Sequence, residues 1–197
     1  MRTVGLPILS LLLLALPAAG LAQVEPPLRG AGGHRIHALF GFAFDPDAVG
    51  LSLGGTDVLD DAARGEASWE IQFPSHRIAL WPKKWPEPHP LAGVLATTDG
   101  SVYPYVGISV RLPLTSRFWF TPSLSAGAYV HAGGFDLGAP IEFRSRAEVV
   151  YQLSVRNRIG LSFGHLSNSG IRRRNPGTET LSLTFYSSLK NHGWTPD

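Results

Sequence analysis

Hydrophobic and polar residues alternate along most of this chain, with the two-residue period that is typical of β-strands rather than helices. The alternation is clearest over 141–155, where every second residue except Ser145 is apolar and most of the others are charged. The same period appears over 102–112 and 117–130, and more briefly over 68–73. Apolar stretches bounded by turn residues predict four more strands, at 34–44, 90–98, 157–167 and 178–189. We therefore predict an all-β protein with eight antiparallel strands.

Eight segments of about ten residues fit two kinds of closed barrel. A soluble barrel has its apolar face inside, whereas an outer-membrane barrel has it outside. In the segment 141–155, four closely spaced charges of both signs can neutralise one another in a small filled lumen, and the unbroken apolar face suits lipid. We therefore expect a transmembrane β-barrel, with a soluble, lipid-binding periplasmic barrel as the alternative. An even strand count puts both termini in the periplasm, so the connection between 167 and 178 is expected on the extracellular side.

The start of the chain has the features of a secretory signal peptide. Met1 and Arg2 provide a basic start, residues 6–16 are apolar, and small residues lead to Ala22. The apolar run is shorter than the roughly 20 residues that a membrane-spanning helix needs. We predict cleavage after Ala22, so that residues 1–22 are a signal peptide and residues 23–197 form the barrel domain.

Composition excludes several kinds of chemistry. The chain has no cysteine, which rules out disulfides, thiolate zinc sites and cysteine nucleophiles. A formal net charge of +2 offers no basis for nucleic-acid binding. Apart from His165, which is discussed below, the histidines are isolated or have no cysteine or carboxylate at metal-ligand spacing nearby: His34, His37, His76, His89, His131 and His192. We expect neither a metal, nor a cofactor, nor a nucleic-acid partner.

Three polar residues share the apolar face near one barrel end. His165 and Ser167 are two residues apart in one predicted strand, on the side of Leu161 and Phe163. Glu179 has the parity of the apolar residues in the last predicted strand, so it faces the same side. A base, a nucleophile and a carboxylate thus gather where lone polar groups are costly. The alternative is ordinary polarity at a barrel end, where such residues cost little.

These residues belong to a pattern that resembles a known family. The pattern is His165-x-Ser167-Asn168-x-Gly170, then Asn175-Pro-Gly177 and Glu179, and it is similar to that of the outer-membrane lipid A 3-O-deacylases, the PagL-type acyloxyacyl hydrolases. Residues 93–105, which include Thr98-Asp-Gly-Ser101, and residues 138–144 support the resemblance. It covers most of the predicted mature chain and is strongest in the last third.

The resemblance implies an eight-stranded outer-membrane barrel with a Ser-His-Glu triad on its outer wall. Ser167 would be the nucleophile, His165 the general base and Glu179 the group that orients the imidazole. Asn168 and the backbone amide of Gly170 would be the oxyanion donors. Strict alternation turns Asn168 inward, so the strand must end or twist there, and Gly170 permits such a bend.

The implied reaction is hydrolysis of an ester-linked 3-O hydroxyacyl chain of lipopolysaccharide, in the bacterial outer membrane with the site toward the outer leaflet. It requires no metal. The run Arg172, Arg173 and Arg174 lies in the connection beside the triad, and we predict that it contacts phosphates or acidic sugars of the headgroup. A non-catalytic outer-membrane barrel and an outer-membrane phospholipid esterase remain as alternatives. No motif specifies acyl-chain length, ester position or oligomeric state.

Overall fold

The computed structural model describes residues 46–59, 63–75, 82–133 and 136–190. Ten strand segments run through these residues: β1 (Ala48–Thr56), β2 (Arg64–Gln72), β3 (Pro88–Thr97), β4 (Val102–Val110), β5 (Leu112–Pro113), β6 (Phe118–Phe120), β7 (Ser123–Ala128), β8 (Ile141–Gln152), β9 (Asn157–Ser167) and β10 (Thr178–Ser188). Within the described ranges, no helix is long and apolar enough to cross a membrane.

The ten segments make eight barrel strands, because two of the strands are interrupted. Only Arg111 separates β4 from β5. Thr121 and Pro122 separate β6 from β7, and a proline has no N–H to contribute to the ladder. Both β6 and β7 pair with β8, so they follow one path along the same neighbour.

The sheet closes on itself through antiparallel pairs. From β1, the order runs through β2, β3, β4, β7 and β8 to β9 and β10, and β10 pairs with β1 again. Each long strand therefore has a neighbour on both sides, and the barrel leaves no long unpaired edge. The prediction of a closed eight-stranded antiparallel barrel is confirmed.

The strands present apolar side chains outside and polar ones inside. On β8, the alternate side chains that point into the barrel are buried, and they are Glu142, Arg144, Arg146 and Glu148. Those that point outward are exposed, and they include Ile141, Phe143 and Val149. The outward rows of β9 and β10 are also apolar, with Leu161, Phe163, Leu181, Leu183 and Phe185 exposed. This is the inside-out arrangement expected of a membrane barrel.

Charges in the lumen are paired across strands that are distant in the sequence. Arg146 Nη2 lies 3.1 Å from Glu70 Oε2, and Arg144 Nη2 lies 3.8 Å from Glu66 Oε1. The Tyr186 hydroxyl donates to the Glu148 carboxylate at 2.9 Å. The two arginines of β8 are thus paired in the lumen with glutamates of β2.

An apolar cluster fills the lumen at the end nearest the β9–β10 connection. Its buried members are Leu91, Leu95, Tyr103, Tyr105, Leu137 and Leu166. Leu137 comes from the connection between β7 and β8, whereas Leu166 points inward from β9 between His165 and Ser167. The cluster therefore joins a connecting segment to the strand that carries two of the candidate catalytic residues.

The first described strand was not predicted. β1 has Gly50, Ser52 and Gly54 at inward positions, which leaves a weak alternation. A Cβ at Gly50 would lie 2.7 Å from Cε1 of Tyr186, so the glycine makes room for the tyrosine ring. The predicted strand at 34–44 and the predicted signal peptide at 1–22 lie outside the described residues.

Residues 82–90 contain four prolines and comprise a turn followed by the start of β3. Trp85 N–H donates to the Pro82 carbonyl at 2.9 Å, which closes a turn, and the indole is exposed. Pro88–Thr97 then forms β3. Residues 76–81 lie outside the described ranges.

Candidate active site

The candidate residues lie where β9 ends and β10 begins. Four connections meet at this end of the barrel, which we call the loop end: 57–63, 98–101, 129–140 and 168–177. The start of β1 and the end of β10 lie at the opposite end. The candidate site therefore lies at the loop end, next to the two longest connections there, 129–140 and 168–177.

His165 and Glu179 form a cross-strand pair on the outer face. They are directly opposite each other in the β9–β10 register, and His165 Nδ1 lies 3.2 Å from Glu179 Oε1. The side chains are 47% and 28% exposed, respectively. A carboxylate at Nδ1 favours the tautomer that carries its proton there, and this leaves Nε2 as a proton acceptor. The pair therefore has the geometry of a general base whose imidazole is oriented by a carboxylate.

Ser167 is the last residue of β9 and lies two positions beyond His165. Its register partner on β8 is Phe143, which is exposed on the outer face. Directly opposed residues of an antiparallel pair point to the same side, so Ser167 shares that face. Only 9% of its surface is exposed. The structure thus brings all three predicted catalytic residues to one patch.

Asn168 is fully buried and organises the connection that follows β9. Its side-chain amide donates to the carbonyls of Leu137 at 3.1 Å and Arg174 at 2.8 Å. Its Oδ1 accepts the N–H of Gly170 at 3.1 Å, and its own N–H donates to Asn175 Oδ1 at 2.9 Å. Both side-chain hydrogens, as well as the Gly170 amide, are therefore engaged within the protein.

A sharp turn follows the end of β9 at Ser167. Ser169 and Gly170 both have positive φ angles, of 52° and 80°. The chain therefore leaves the sheet at the inward-facing Asn168, where the sequence predicted that the strand ends or twists.

Gly177 touches the imidazole directly. Its φ is +69°, and a Cβ placed on it would lie 2.7 Å from His165 Cε1 and 3.2 Å from Nε2. The glycine thus lets the backbone pass against the histidine ring. In the sequence, Gly177 was noted only as part of the family-like motif. The alternation of residues does not indicate its contact with the His165 ring.

The three arginines lie on the exposed connection beside the triad. Arg174 Nη1 lies 2.8 Å from Asp136 Oδ2, with both side chains at least half exposed. The two connections touch closely at this point, since a Cβ on Gly138 would lie 2.4 Å from the Arg174 carbonyl oxygen. Arg172 and Arg173 are also exposed. Basic side chains therefore border the candidate site on the side away from the strands.

No metal centre accompanies the triad in the part of the chain that the structure describes. Those residues contain no group of three or more histidine, cysteine, aspartate or glutamate side chains able to hold an ion.

Comparison with known proteins gives one consistent set of relatives. A family model described as lipid A 3-O-deacylase (PagL) matches residues 61–187. The lipid A deacylase PagL of Bordetella bronchiseptica is 31% identical over 71 residues, which cover 35% of this chain and 40% of that protein. The match therefore spans well under two thirds of that relative.

A solved structure extends the likeness to the fold. The crystal structure of the outer membrane enzyme PagL superposes with a TM-score of 0.52 at 16% identity. The match covers 71% of this chain and 98% of that one. At this identity the likeness concerns the barrel architecture.

Proposed function

This chain belongs to the lipid A 3-O-deacylase (PagL) family, and from that premise we propose that it removes an ester-linked 3-O hydroxyacyl chain from lipid A. The observation that carries the proposal is the His165–Glu179 contact of 3.2 Å on the outer face, beside Ser167. Family membership supports the substrate, and the geometry supports a serine esterase mechanism.

The position of the site suits a substrate that stays in the membrane. With eight strands, the start of β1 and the end of β10 lie at the same end of the barrel, and we place that end in the periplasm. The loop end then faces the outer leaflet, where lipid A is found. Exposed apolar residues such as Phe163 and Leu181 cover the wall below the triad. Acyl chains of a bound lipid would pack on this wall while the ester reaches Ser167.

Catalysis would proceed through an acyl-enzyme. His165 Nε2 accepts the proton of Ser167 Oγ as this oxygen attacks the ester carbonyl. The tetrahedral intermediate collapses, the C–O bond to the sugar breaks, and the imidazolium returns the proton to the leaving sugar hydroxyl. Water then attacks the acyl-enzyme with His165 again as base, and this step releases the hydroxy fatty acid and regenerates Ser167. Glu179 stabilises the imidazolium and holds its orientation.

The oxyanion would be stabilised by the backbone amide of Gly170, and Asn168 would contribute by fixing the turn that carries this amide, because its own side-chain hydrogens are bound to the Leu137 and Arg174 carbonyls. In the structure that amide donates to Asn168 Oδ1. We propose that it exchanges this acceptor for the developing oxyanion when substrate binds. The buried Asn168 side chain, anchored on two carbonyls, would hold the turn in place during this exchange. Loss of one oxyanion donor typically costs about 10²- to 10³-fold in rate, so Asn168→Ala should retain a weak residual activity.

The arginines would bind the headgroup. Guanidinium groups form paired hydrogen bonds to phosphate, and Arg172 and Arg173 are exposed next to the triad. Arg174 is already close to Asp136. We propose that this run contacts the phosphates or acidic sugars of lipopolysaccharide and does not take part in the chemical steps.

Mass spectrometry of lipid A tests the proposal. The mature chain is refolded in detergent and incubated with purified lipopolysaccharide, alongside Ser167→Ala, His165→Ala and Glu179→Gln. The wild type should remove one hydroxyacyl group, the first two variants should be nearly inactive, and Glu179→Gln should be more mildly impaired. Ser145→Ala is a matched control, because Ser145 is the register partner of His165 on β8. It should keep full activity.

Two outcomes would refute the proposal. Wild-type turnover by folded Ser167→Ala would show that the nucleophile is assigned wrongly. No acyl loss with folded wild type would exclude lipid A as substrate, and phospholipid vesicles would then separate a phospholipid esterase from a barrel without catalytic activity.

A further inference from the structure

A buried hydrogen-bonded cluster lies on the inner side of the barrel wall, directly behind Glu179. Its centre is Thr178, the first residue of β10, whose hydroxyl donates to the Asp57 carboxylate. The same hydroxyl accepts the Asp57 N–H at 3.0 Å and lies 3.0 Å from Thr56 Oγ1. All three residues are buried. The hydroxyl is therefore fully used, and it ties the end of β1 to the start of β10.

Arg64 extends this cluster to a second connection. Its guanidinium contacts the Asp57 carboxylate, and its Nε lies 3.1 Å from Asp99 Oδ2. Asp99 also accepts hydrogen bonds from Thr97 Oγ1 at 2.5 Å and from the Ser101 N–H at 3.1 Å. Although partial burial raises the pKa of Asp99, these hydrogen bonds and the Arg64 charge outweigh it, so the pKa lies below its ordinary value.

We call Thr56, Asp57, Arg64, Asp99 and Thr178 the rim network. It joins the β1–β2 connection, the β3–β4 turn and the start of β10 through charge-assisted hydrogen bonds, which are stronger than neutral ones.

The backbone at Asp57 is strained in a way that serves the contact with β10. Its φ is +56°, a left-handed conformation that few residues other than glycine adopt and that aspartate and asparagine tolerate best. The next residue, Val58, points its N–H at the Glu179 carbonyl at 3.4 Å. Segment 57–58 therefore contacts the backbone or side chain of both Thr178 and Glu179.

We propose that the rim network is a positioning device for the catalytic carboxylate, with Thr178 and Asp57 as its positioning residues. This inference rests on the proposed function. Neighbouring residues of a strand point to opposite faces, so Thr178 projects inward while Glu179 projects outward. The network thus sets the backbone that carries Glu179 without meeting the lipid substrate. It holds Oε1 at 3.2 Å from His165 Nδ1.

The first test compares two variants at the same position. Thr178→Val keeps the shape of the side chain and removes its hydroxyl, whereas Thr178→Ser keeps the hydroxyl. We expect Thr178→Val to lower kcat on the order of tenfold, the effect of one lost hydrogen bond, with KM unchanged. Thr178→Ser should remain near the wild type. Equal kcat for folded Thr178→Val and wild type would overturn the inference.

The second test separates positioning from general weakening of the barrel. Thr178→Val is combined with Glu179→Gln, and the two singles are measured beside the double variant. If Thr178 acts through the carboxylate, its substitution should have little further effect in the Glu179→Gln background. The same fold-reduction in both backgrounds would refute a positioning role.

A spectroscopic readout keeps the inference distinct from the proposed function. In protein with labelled histidine, the ring proton on Nδ1 of His165 reports its hydrogen bond to Glu179 even where no turnover is measured. Thr178→Val should shift this resonance or lose it by exchange, and Thr178→Ser should not. An unchanged resonance in Thr178→Val would overturn the inference, whether or not the wild type deacylates lipid A.

Asp57→Asn provides an independent variant if Thr178→Val does not fold. Asparagine tolerates the left-handed backbone and retains an oxygen acceptor, but it loses the charge that pairs with Arg64. We expect the same shift of the His165 resonance, smaller in size. A resonance identical to that of the wild type would contradict the role assigned to Asp57.

Discussion

Gly177→Ala should disable the catalytic histidine with a single methyl group. An alanine Cβ there would lie 2.7 Å from His165 Cε1, about 0.8 Å inside the ~3.5 Å at which carbon atoms pack. The backbone at 177 is bound into the start of β10, so the imidazole must move. Its Nδ1 is only 3.2 Å from Glu179 Oε1, and a misplacement of about 1 Å can cost on the order of 10²-fold in rate. We expect kcat to fall by about that factor.

Part of the effect is backbone strain, which a second glycine controls for. A residue other than glycine in the left-handed region costs about 1–2 kcal/mol in stability. Gly170 has a similar φ of +80°, but a Cβ there meets no atom of the described chain within 4 Å. Gly170→Ala should therefore lose similar stability without any contact with the imidazole. Its stability rather than its activity is the control, because the Gly170 amide is a proposed oxyanion donor.

The assay follows release of the hydroxy fatty acid from lipopolysaccharide, with kcat and KM determined separately. Heat-dependent migration in electrophoresis shows whether each barrel is folded. If folded Gly177→Ala keeps the kcat of the wild type, then the contact between Gly177 and the imidazole does not position the base, and the reasoning fails.

Three further predictions concern binding and stability. Replacing all three arginines at 172–174 with glutamine should raise KM for lipopolysaccharide more than it lowers kcat, while Arg117→Gln at the opposite end should change neither; a rate profile against substrate concentration decides. Arg146→Met should destabilise the barrel by about 3–5 kcal/mol because it leaves Glu70 buried without its cation, and adding Glu70→Leu should restore most of the loss in denaturant unfolding. Because the folded-state pKa of Asp99 lies below its ordinary value of 3.8, its carboxylate stabilises the fold above that pH and ceases to do so as the pH falls through the folded pKa. Asp99→Asn should therefore unfold at a lower temperature than the wild type at neutral pH, and the difference should vanish in strong acid; a constant difference at all pH values would contradict this.

The facing of the strands could be predicted because strand geometry is local. Over β8, β9 and β10, one row of side chains is apolar and the other is charged or small and polar. A slip of one residue would exchange the two rows, so only one register satisfies both lipid and lumen. The same parity placed His165 and Glu179 on one side before any contact was known. In the structure, the hairpin formed by β9 and β10 makes His165 and Glu179 register partners.

β1 escaped prediction for an equally physical reason. Its inward glycines carry no polarity, and the small size of Gly50 makes room for Tyr186, its register partner on β10. That requirement exists only once the barrel has closed. The ion-pair partners of Arg144 and Arg146 could not be predicted for the same reason. The sequence places charges of both signs close together on β8, but only the closed barrel brings the glutamates of β2 to these arginines.

The chain's alternation by itself predicted the barrel and the common face of His165, Ser167 and Glu179, and together with the charges of 141–155 it favoured the inside-out facing. Each of these depends on a two-residue period that any short segment carries. Only the tertiary structure decided how the site is held. Asn168 on Leu137, Gly177 against the imidazole, and the rim network behind Glu179 all join connections that lie far apart in the sequence. No local pattern encodes such contacts, since they arise when closure of the barrel brings the ends of distant strands together.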